Sequence, residues 1–192
     1  MNTIRFLMTG TAPLLMHNAR LADPLDPASK ALAAVTSKRK KTDNDIEEIA
    51  KLEFKGSLYT NGANEPVIPA RLIYGMLAGK GGAARMQKSG QQAKAGLFVK
   101  GNFSLQYDGP KDPDSLWKDQ RFRSRVNAKV GPATIMRTRP IFEEWKVEVE
   151  VNFNPDILNR QTLIEWMQLA GEQVGIGDWR PQHGRFTTTV IE

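Results

Sequence analysis

The strongest constraint on the fold is a strict alternation of apolar and polar residues over 146–153. Val147, Val149, Val151 and Phe153 take every second position, and Lys, Glu or Asn stands between them. Successive side chains of a strand point to opposite faces, so this period of two predicts a strand with one buried and one solvated face.

Further strands and helices are predicted on both sides of this segment. Strands are expected over 3–9, 97–107 (with a bulge at Gly101) and 186–191, and helices after Pro69 and over 159–174. The resulting order of strand, helix, strand, strand, helix, strand is that of a β-α-β-β-α-β unit. The sequence therefore predicts an α+β chain with a ferredoxin-like core.

We expect one domain, residues 1–192, that carries two insertions in this core. The first covers about 14–64 and is helical, with a mobile basic loop at 36–45 that includes four consecutive cations. Asp26 is expected to cap a helix that begins at Pro27. The second insertion is a basic hairpin at about 108–145.

Positive charge is concentrated in the middle of the chain. The net charge is +6, but between Arg71 and Arg139 14 Lys and Arg side chains stand against 4 Asp, a balance of +10. A concentrated positive field suits a polyanion, because each neutralised phosphate releases counterions. This pattern favours nucleic-acid binding, although a basic face that only keeps the protein soluble has the same composition.

Two rows of arginines stand at every second position within this basic region. Arg121, Arg123 and Arg125 form one row, and Arg137 and Arg139 form the other. In extended structure each row points to one face, and the Gly131-Pro132 turn signal between them predicts that the rows lie on the two arms of a hairpin. We expect these arms to clamp a nucleic-acid backbone.

A glycine-rich loop is predicted at 175–186, directly after the last helix. Its glycines allow close backbone approach to a ligand, Arg180 and Arg185 add charge, and Trp179 and Phe186 offer faces on which bases could stack. A helix end followed by a tight turn that packs Trp179 into the core would fit the same residues.

The complete set of residues predicted to bind nucleic acid combines the basic loop, the basic region and the glycine-rich loop. They are Lys38, Arg39, Lys40, Lys41, Arg71, Lys80, Arg85, Arg121, Arg123, Arg125, Lys129, Arg137, Arg139, Gly175, Gly177, Trp179, Arg180, His183, Arg185 and Phe186.

Composition excludes most familiar catalytic chemistry. The chain has no cysteine and only two histidines, His17 and His183, so thiolate catalysis and Cys-based metal sites are excluded. The weak catalytic candidates are Asp23 and Asp26, whose carboxylates could hold a metal or activate a 2′-OH beside bound RNA. We expect no cofactor, no metal, no membrane partner, no secretory signal and a cytoplasmic location.

Two segments resemble motifs of the RAMP superfamily, the RNA-binding subunits of CRISPR effector complexes. Residues 66–77 are similar to that family's Ile-Pro-Gly-Ser-Ser-Leu-Lys-Gly helix start, with Ala70 in the glycine place and Leu72-Ile73-Tyr74-Gly75 in place of Ser-Leu-Lys-Gly. Residues 175–186 are similar to its C-terminal glycine-rich loop. The resemblance implies a modified RNA-recognition-motif fold, β-α-β-β-α-β, with the basic hairpin at about 108–145 as its thumb-like insertion. It also implies a subunit that stacks with copies of itself along an RNA strand, or a phage or prophage relative of such a subunit.

Three functions remain open at this point. The first is a non-enzymatic protein that binds single-stranded RNA or DNA, with RNA favoured, as a homo-oligomer or within a multi-subunit ribonucleoprotein. The second is a metal-dependent endoribonuclease of the same fold that uses Asp23 or Asp26. The third is a structural phage or assembly protein whose basic face contacts an acidic protein partner.

Overall fold

A computed structural model describes residues 1–130 and 133–191 of the chain. These residues form two compact units, each assembled from segments that are distant in sequence. The first unit contains Met1–Leu14, Pro66–Asp108 and Glu143–Glu192, and the second contains Leu15–Glu65 and Gly109–Phe142. Helices and antiparallel sheets occur together, so the protein belongs to the mixed α+β class.

The regular elements are numbered in chain order. The strands are β1 (Asn2–Gly10), β2 (Leu14–Leu15), β3 (Val67–Pro69), β4 (Leu97–Phe98), β5 (Asn102–Gln106), β6 (Arg123–Val130), β7 (Ala133–Phe142), β8 (Lys146–Phe153) and β9 (Phe186–Val190). The α-helices are α1 (Pro27–Thr36), α2 (Asp43–Ser57), α3 (Ala70–Ala78), α4 (Ala83–Met86), α5 (Gly90–Gly96), α6 (Pro113–Lys118) and α7 (Arg160–Leu169). Short 3-10 helices cover Ala19–Ala22 and Gln120–Phe122, and a π-helical turn covers Ala170–Val174.

The first unit is built on an antiparallel sheet with the strand order β3-β5-β8-β1-β9, and β4 pairs with β8 beside this path. The strand predicted at 146–153 is confirmed as β8, and its four apolar side chains are buried. Ile4, Phe6 and Met8 of β1 are buried at the same period of two. One sheet face therefore belongs to the core, and the other carries polar residues.

Two predicted elements of this unit differ from the structure. The single bulged strand expected over 97–107 is divided into β4 and β5, because Gly101 lies between them with φ +89°. The helix expected over 159–174 is α7, whose N-cap Asn159 accepts a hydrogen bond from the Thr162 N–H at 2.8 Å, followed by the π-helical turn. That turn ends at Gly175, the predicted stop, with φ +71°.

The second unit contains the helices α1 and α2 and the hairpin formed by β6 and β7. Asp26 caps α1 as predicted, because its Oδ1 accepts the Ala28 N–H at 2.7 Å. α2 begins with a reciprocal capping box between Thr42 and Asp45 and packs against β7. The hairpin register runs from Arg123 opposite Pro140 to Val130 opposite Ala133, and the sheet order is β2-β7-β6. The turn predicted at Gly131-Pro132 lies outside the described residues.

Candidate nucleic-acid interface

The glycine-rich loop of the first unit connects the π-helical turn to β9. Gly175, Gly177 and Gly184 all have positive φ, a region that side-chain-bearing residues seldom adopt. The Ile176 N–H donates to the Gly184 carbonyl oxygen at 2.9 Å, and the Gly184 N–H donates to the Pro13 carbonyl oxygen at 2.8 Å. With Ile176 fully buried, the base of the loop is fixed to the unit and its tip projects from it.

Trp179 stands at the tip of this loop and is 58% exposed. Its ring stacks on His183, with centroids 5.1 Å apart and planes 14° apart, and the His183 N–H donates to its carbonyl oxygen at 3.1 Å. Trp179 also has φ +54°, a strained conformation for a large side chain and one that is found at ligand-binding positions. The alternative in which Trp179 packs into the core is wrong.

Two arginines stand close to this stacked pair in the chain. Arg180 and Arg185 are exposed, and the Arg180 guanidinium reaches the Gly175 carbonyl oxygen at 3.5 Å. The carbonyl oxygen of Arg185 accepts the N–H groups of Thr11 and Ala12 at 2.8 and 3.2 Å, which fixes its backbone. The loop thus presents an exposed aromatic pair together with two exposed arginines.

Phe186 has a different position from the one expected. It is buried at the start of β9, and its ring packs edge-on against Trp145 with centroids 6.2 Å apart. Since its faces are covered by the core, Phe186 cannot stack on a base, and the aromatic surface of the loop consists of Trp179 and His183.

Other predicted cations of the first unit lie on and after α3. Arg71 is exposed in the first turn of α3, Lys80 is exposed after its end, and Arg85 is exposed on α4. Arg85 lines a shallow cleft of about 370 Å³ together with Lys88 and Lys94. Lys88 and Lys94 belong to the same basic region but are not among the residues predicted to bind nucleic acid.

The solvated face of the sheet has a different character from the loop. Its two central strands present Arg5, Glu148 and Glu150, and Arg5 pairs with Glu148 at 3.1 Å. Sheets that bind single strands usually place aromatic rings on the central strands for base stacking. Two carboxylates at that place repel phosphates, so the glycine-rich loop is the better candidate contact in this unit.

In the second unit Arg123 and Arg125 lie on one arm of the hairpin and Arg137 and Arg139 on the other, but the two pairs do not share a surface. Arg121, expected in the first row, precedes β6 in a 3-10 helix, so the predicted row of three is wrong at this residue. Arg123 and Arg125 stand opposite Pro140 and Thr138, whereas Arg137 stands opposite Val126. Directly paired residues share a face, so the rows point to opposite faces of the ribbon. A single clamp made from both rows is therefore wrong. Lys129 lies on β6 opposite Thr134, and its side chain is outside the described residues.

Several of these arginines contact groups of their own unit. Arg121 lies in a 3-10 helix and pairs with Asp119 at 2.7 Å, and this hydrogen bond holds the pKa of Asp119 below its usual range. The Arg123 guanidinium lies 4.7 Å above the Trp117 ring. Arg137 pairs with the buried carboxylate of Glu53, and Arg139 lines the cleft beside that pair. The pair with Glu53 gives Arg137 a structural role.

The basic loop is shorter than predicted, because α1 extends to Thr36 and α2 begins at Asp43. Lys38 pairs with Asp45 at 2.5 Å, and the Lys41 ammonium donates to the Lys38 carbonyl oxygen at 2.9 Å. Arg39 and Lys40 are exposed. Lys38 thus contacts the first turn of α2, and Lys41 contacts the backbone of the basic loop. The mobility of the basic loop remains a prediction.

The pKa of Asp45 provides a test of this contact. The hydrogen bond from Lys38, followed by those from Thr42, lowers the pKa of Asp45 from 3.8 to about 2. Because the pKa of Asp45 is lower in the folded protein than in the unfolded chain, ionised Asp45 stabilises the fold at pH values above its unfolded-state pKa. This stabilisation is lost as the pH falls through the folded-state pKa. We expect the first turn of α2 to lose hydrogen-exchange protection between about pH 4 and pH 2, and Asp45→Asn to remove this dependence.

The check is an NMR titration of the Asp45 carboxyl in the intact protein and in Lys38→Met. The substitution should move the pKa of Asp45 upward, because it removes the largest cause of the depression. An Asp45 that titrates at the ordinary value in both proteins would contradict the contact.

The carboxylates of the two weak catalytic candidates accept hydrogen bonds from nearby backbone N–H groups. Asp23 Oδ1 accepts the Leu25 N–H at 2.9 Å, and Asp26 caps α1. His17 and His183 belong to different units. Within residues 1–130 and 133–191, no three His, Asp or Glu side chains are grouped as a metal site would require.

None of the helices in the described part of the chain is long and apolar enough to cross a membrane. No protein-family model and no curated protein gives a match to the chain.

Proposed function

We propose that this protein binds single-stranded nucleic acid, with RNA favoured, through the glycine-rich loop of its first unit. The observation that carries the proposal is the exposed Trp179, stacked on His183, in a loop that also contains the exposed Arg180 and Arg185. A base can stack on the open face of Trp179 while the guanidinium groups neutralise the adjacent phosphates, which is how sequence-tolerant single-strand binding works.

The loop is also suited to this task because its shape does not depend on a ligand. The hydrogen bonds of Ile176 and Gly184 fix both ends of the loop, so binding does not require the whole segment to become ordered. His183 supports the Trp179 ring from behind, which lowers the entropy that Trp179 would lose on contact with a base.

The proposal extends to the fold of the first unit, for which a ferredoxin-like core is the arrangement we favour. Support comes from the strand order β5-β8-β1-β9 and from the helices that follow β1 and β8 in the chain. In this reading the protein is a RAMP-type backbone subunit, or a phage or prophage relative, that assembles head-to-tail along a strand. Such contacts are heterologous, so complexes should grow with strand length.

The test is the equilibrium binding of labelled single-stranded RNA, single-stranded DNA and duplex, measured by fluorescence anisotropy at two salt concentrations. Trp179→Ala should weaken single-strand binding about 5-fold to 150-fold, because base–aromatic stacking contributes about 1–3 kcal/mol per base. Trp179→Phe retains a stacking face and should restore most of the affinity.

Phe98→Ala is the matched control, because Phe98 is an aromatic residue of the same unit that is 40% exposed on the sheet. It should leave binding unchanged. A wild-type protein that binds no single strand at low salt would exclude the proposed function, and the basic region would then serve a protein partner. Equal losses in Trp179→Ala and Phe98→Ala would exclude the loop as the contact.

A further inference from the structure

The second unit contains a cleft of about 290 Å³ between the hairpin and the helical segments of that unit. One side is formed by Arg137 and Arg139 of β7, and the other by Leu21, Ala22 and Leu32. This volume lies at the lower limit of the range of about 300–1,000 Å³ that is usual for ligand pockets. The cleft can therefore hold one small organic molecule with an apolar body and an anionic group.

The positive side of the cleft is fixed before any ligand arrives. Glu53 is buried and accepts hydrogen bonds from the Arg137 guanidinium and, at 2.9 Å, from the Thr138 N–H. Arg137 remains one-third exposed, and a guanidinium has five N–H donors, so one bond to Glu53 leaves capacity for a ligand. Glu53 thus positions Arg137 toward the cleft.

Arg139 adds a second guanidinium to the same wall. It stands two residues after Arg137 on β7, so both side chains lie on one face, about 6–7 Å apart along the strand. The charged side chains that line the cleft include these two guanidinium groups and the single carboxylate of Glu53, so the lining has a net positive formal charge. A phosphate monoester carries a charge of about −1.5 to −2 and three acceptor oxygens, and it matches this wall better than a carboxylate does.

From the charge, the apolar wall and the volume, we infer that this cleft binds a nucleoside monophosphate. The phosphate contacts Arg137 and Arg139, and the base or sugar packs on Leu21 and Leu32. The same chemistry is present in a free nucleotide and in the 5′-phosphorylated end of a strand. The inference does not depend on the glycine-rich loop, because every residue that carries it belongs to the second unit.

Isothermal titration calorimetry of the full chain with AMP, UMP, ribose 5-phosphate and inorganic phosphate tests the inference. The nucleotides should bind at least about tenfold more tightly than inorganic phosphate, because only they use the apolar wall. A short strand with a 5′-phosphate, compared with its 5′-hydroxyl form, distinguishes a strand end from a free nucleotide. Nucleotides that bind no better than inorganic phosphate would overturn the inference.

Matched variants locate the site. Arg139→Ala should weaken AMP binding about tenfold to hundredfold, whereas Arg125→Ala, on the opposite face of the same hairpin, should not change it. Leu32→Glu tests the apolar wall on α1, a helix with no buried residues, and should also weaken binding. Because Arg139→Ala and Leu32→Glu change only residues of the second unit, failure here is distinguishable from failure of the strand-binding proposal. Equal effects of Arg139→Ala and Arg125→Ala would overturn the assignment.

Discussion

Replacing Glu53 with alanine is expected to destabilise the second unit by about 3–5 kcal/mol, the loss typical of removing one partner from a buried ion pair. Glu53 has 5% of its side chain exposed and joins α2 to β7 by two hydrogen bonds. Without it, the Thr138 N–H in a buried part of β7 loses its acceptor, and Arg137 loses its counter-charge.

Native-state hydrogen exchange of the amides of α2 and β7 is the measurement, because it reports the opening of this unit. Glu53→Gln should lower the stability of the second unit less than Glu53→Ala does, because the amide oxygen can still accept the hydrogen bond from the Thr138 N–H. Glu48→Ala is the control, because Glu48 lies on the same helix and is exposed. Its substitution should change the free energy of unfolding by no more than about 0.5 kcal/mol. A loss in Glu53→Ala as small as that in Glu48→Ala would show that the pair contributes nothing to the fold.

Glu53 illustrates what a sequence reveals about such a site and what it does not. Ile46, Ile49, Ala50 and Phe54 give α2 its apolar spacing, and Glu53 falls within the same stripe. A carboxylate in that position signals a buried charge, which needs a partner. The partner is Arg137, 84 residues further along the chain, and no local pattern identifies it.

The hairpin shows a second limit of what can be predicted from the sequence. The spacing of the arginines predicts correctly that Arg123 and Arg125 share one face and that Arg137 and Arg139 share one, because the period of a strand is two, but Arg121 lies in a 3-10 helix before β6. Which face each row takes depends on the register of β6 against β7, and a shift of one residue turns a whole row over. The observed register pairs Val126 with Arg137 and thereby separates the rows.

The elements predicted best are those whose signals are local. β8 agrees with its alternation over 146–153, and Asp26 and Gly175 mark the ends that their residue types predict. The shape of the glycine-rich loop depends instead on contacts with distant backbone, such as that of Pro13, so the exposed Trp179 and the buried Phe186 could not be distinguished beforehand.

Replacing Gly184 with alanine is expected to destabilise the first unit by about 3 kcal/mol or more, in the range of the most damaging single substitutions. A Cβ at this position would lie 1.7 Å from the carbonyl oxygen of Ile176 and 2.7 Å from its carbonyl carbon. The obstacle is backbone, so no side-chain rotation relieves it. The hydrogen bonds that Gly184 makes to Ile176 and Pro13 would be lost together.

Gly81→Ala separates this overlap from the cost of backbone conformation. Gly81 belongs to the same unit and has φ +77°, close to the +73° of Gly184, but a Cβ there would meet no atom within 4 Å. Its substitution should cost only about 1–2 kcal/mol, the ordinary penalty of a left-handed residue. Urea denaturation of both variants gives the comparison, and equal losses would contradict the close approach at Gly184. Because the two ends of the loop meet at Gly184, its variant should also bind single strands less tightly than Gly81→Ala does.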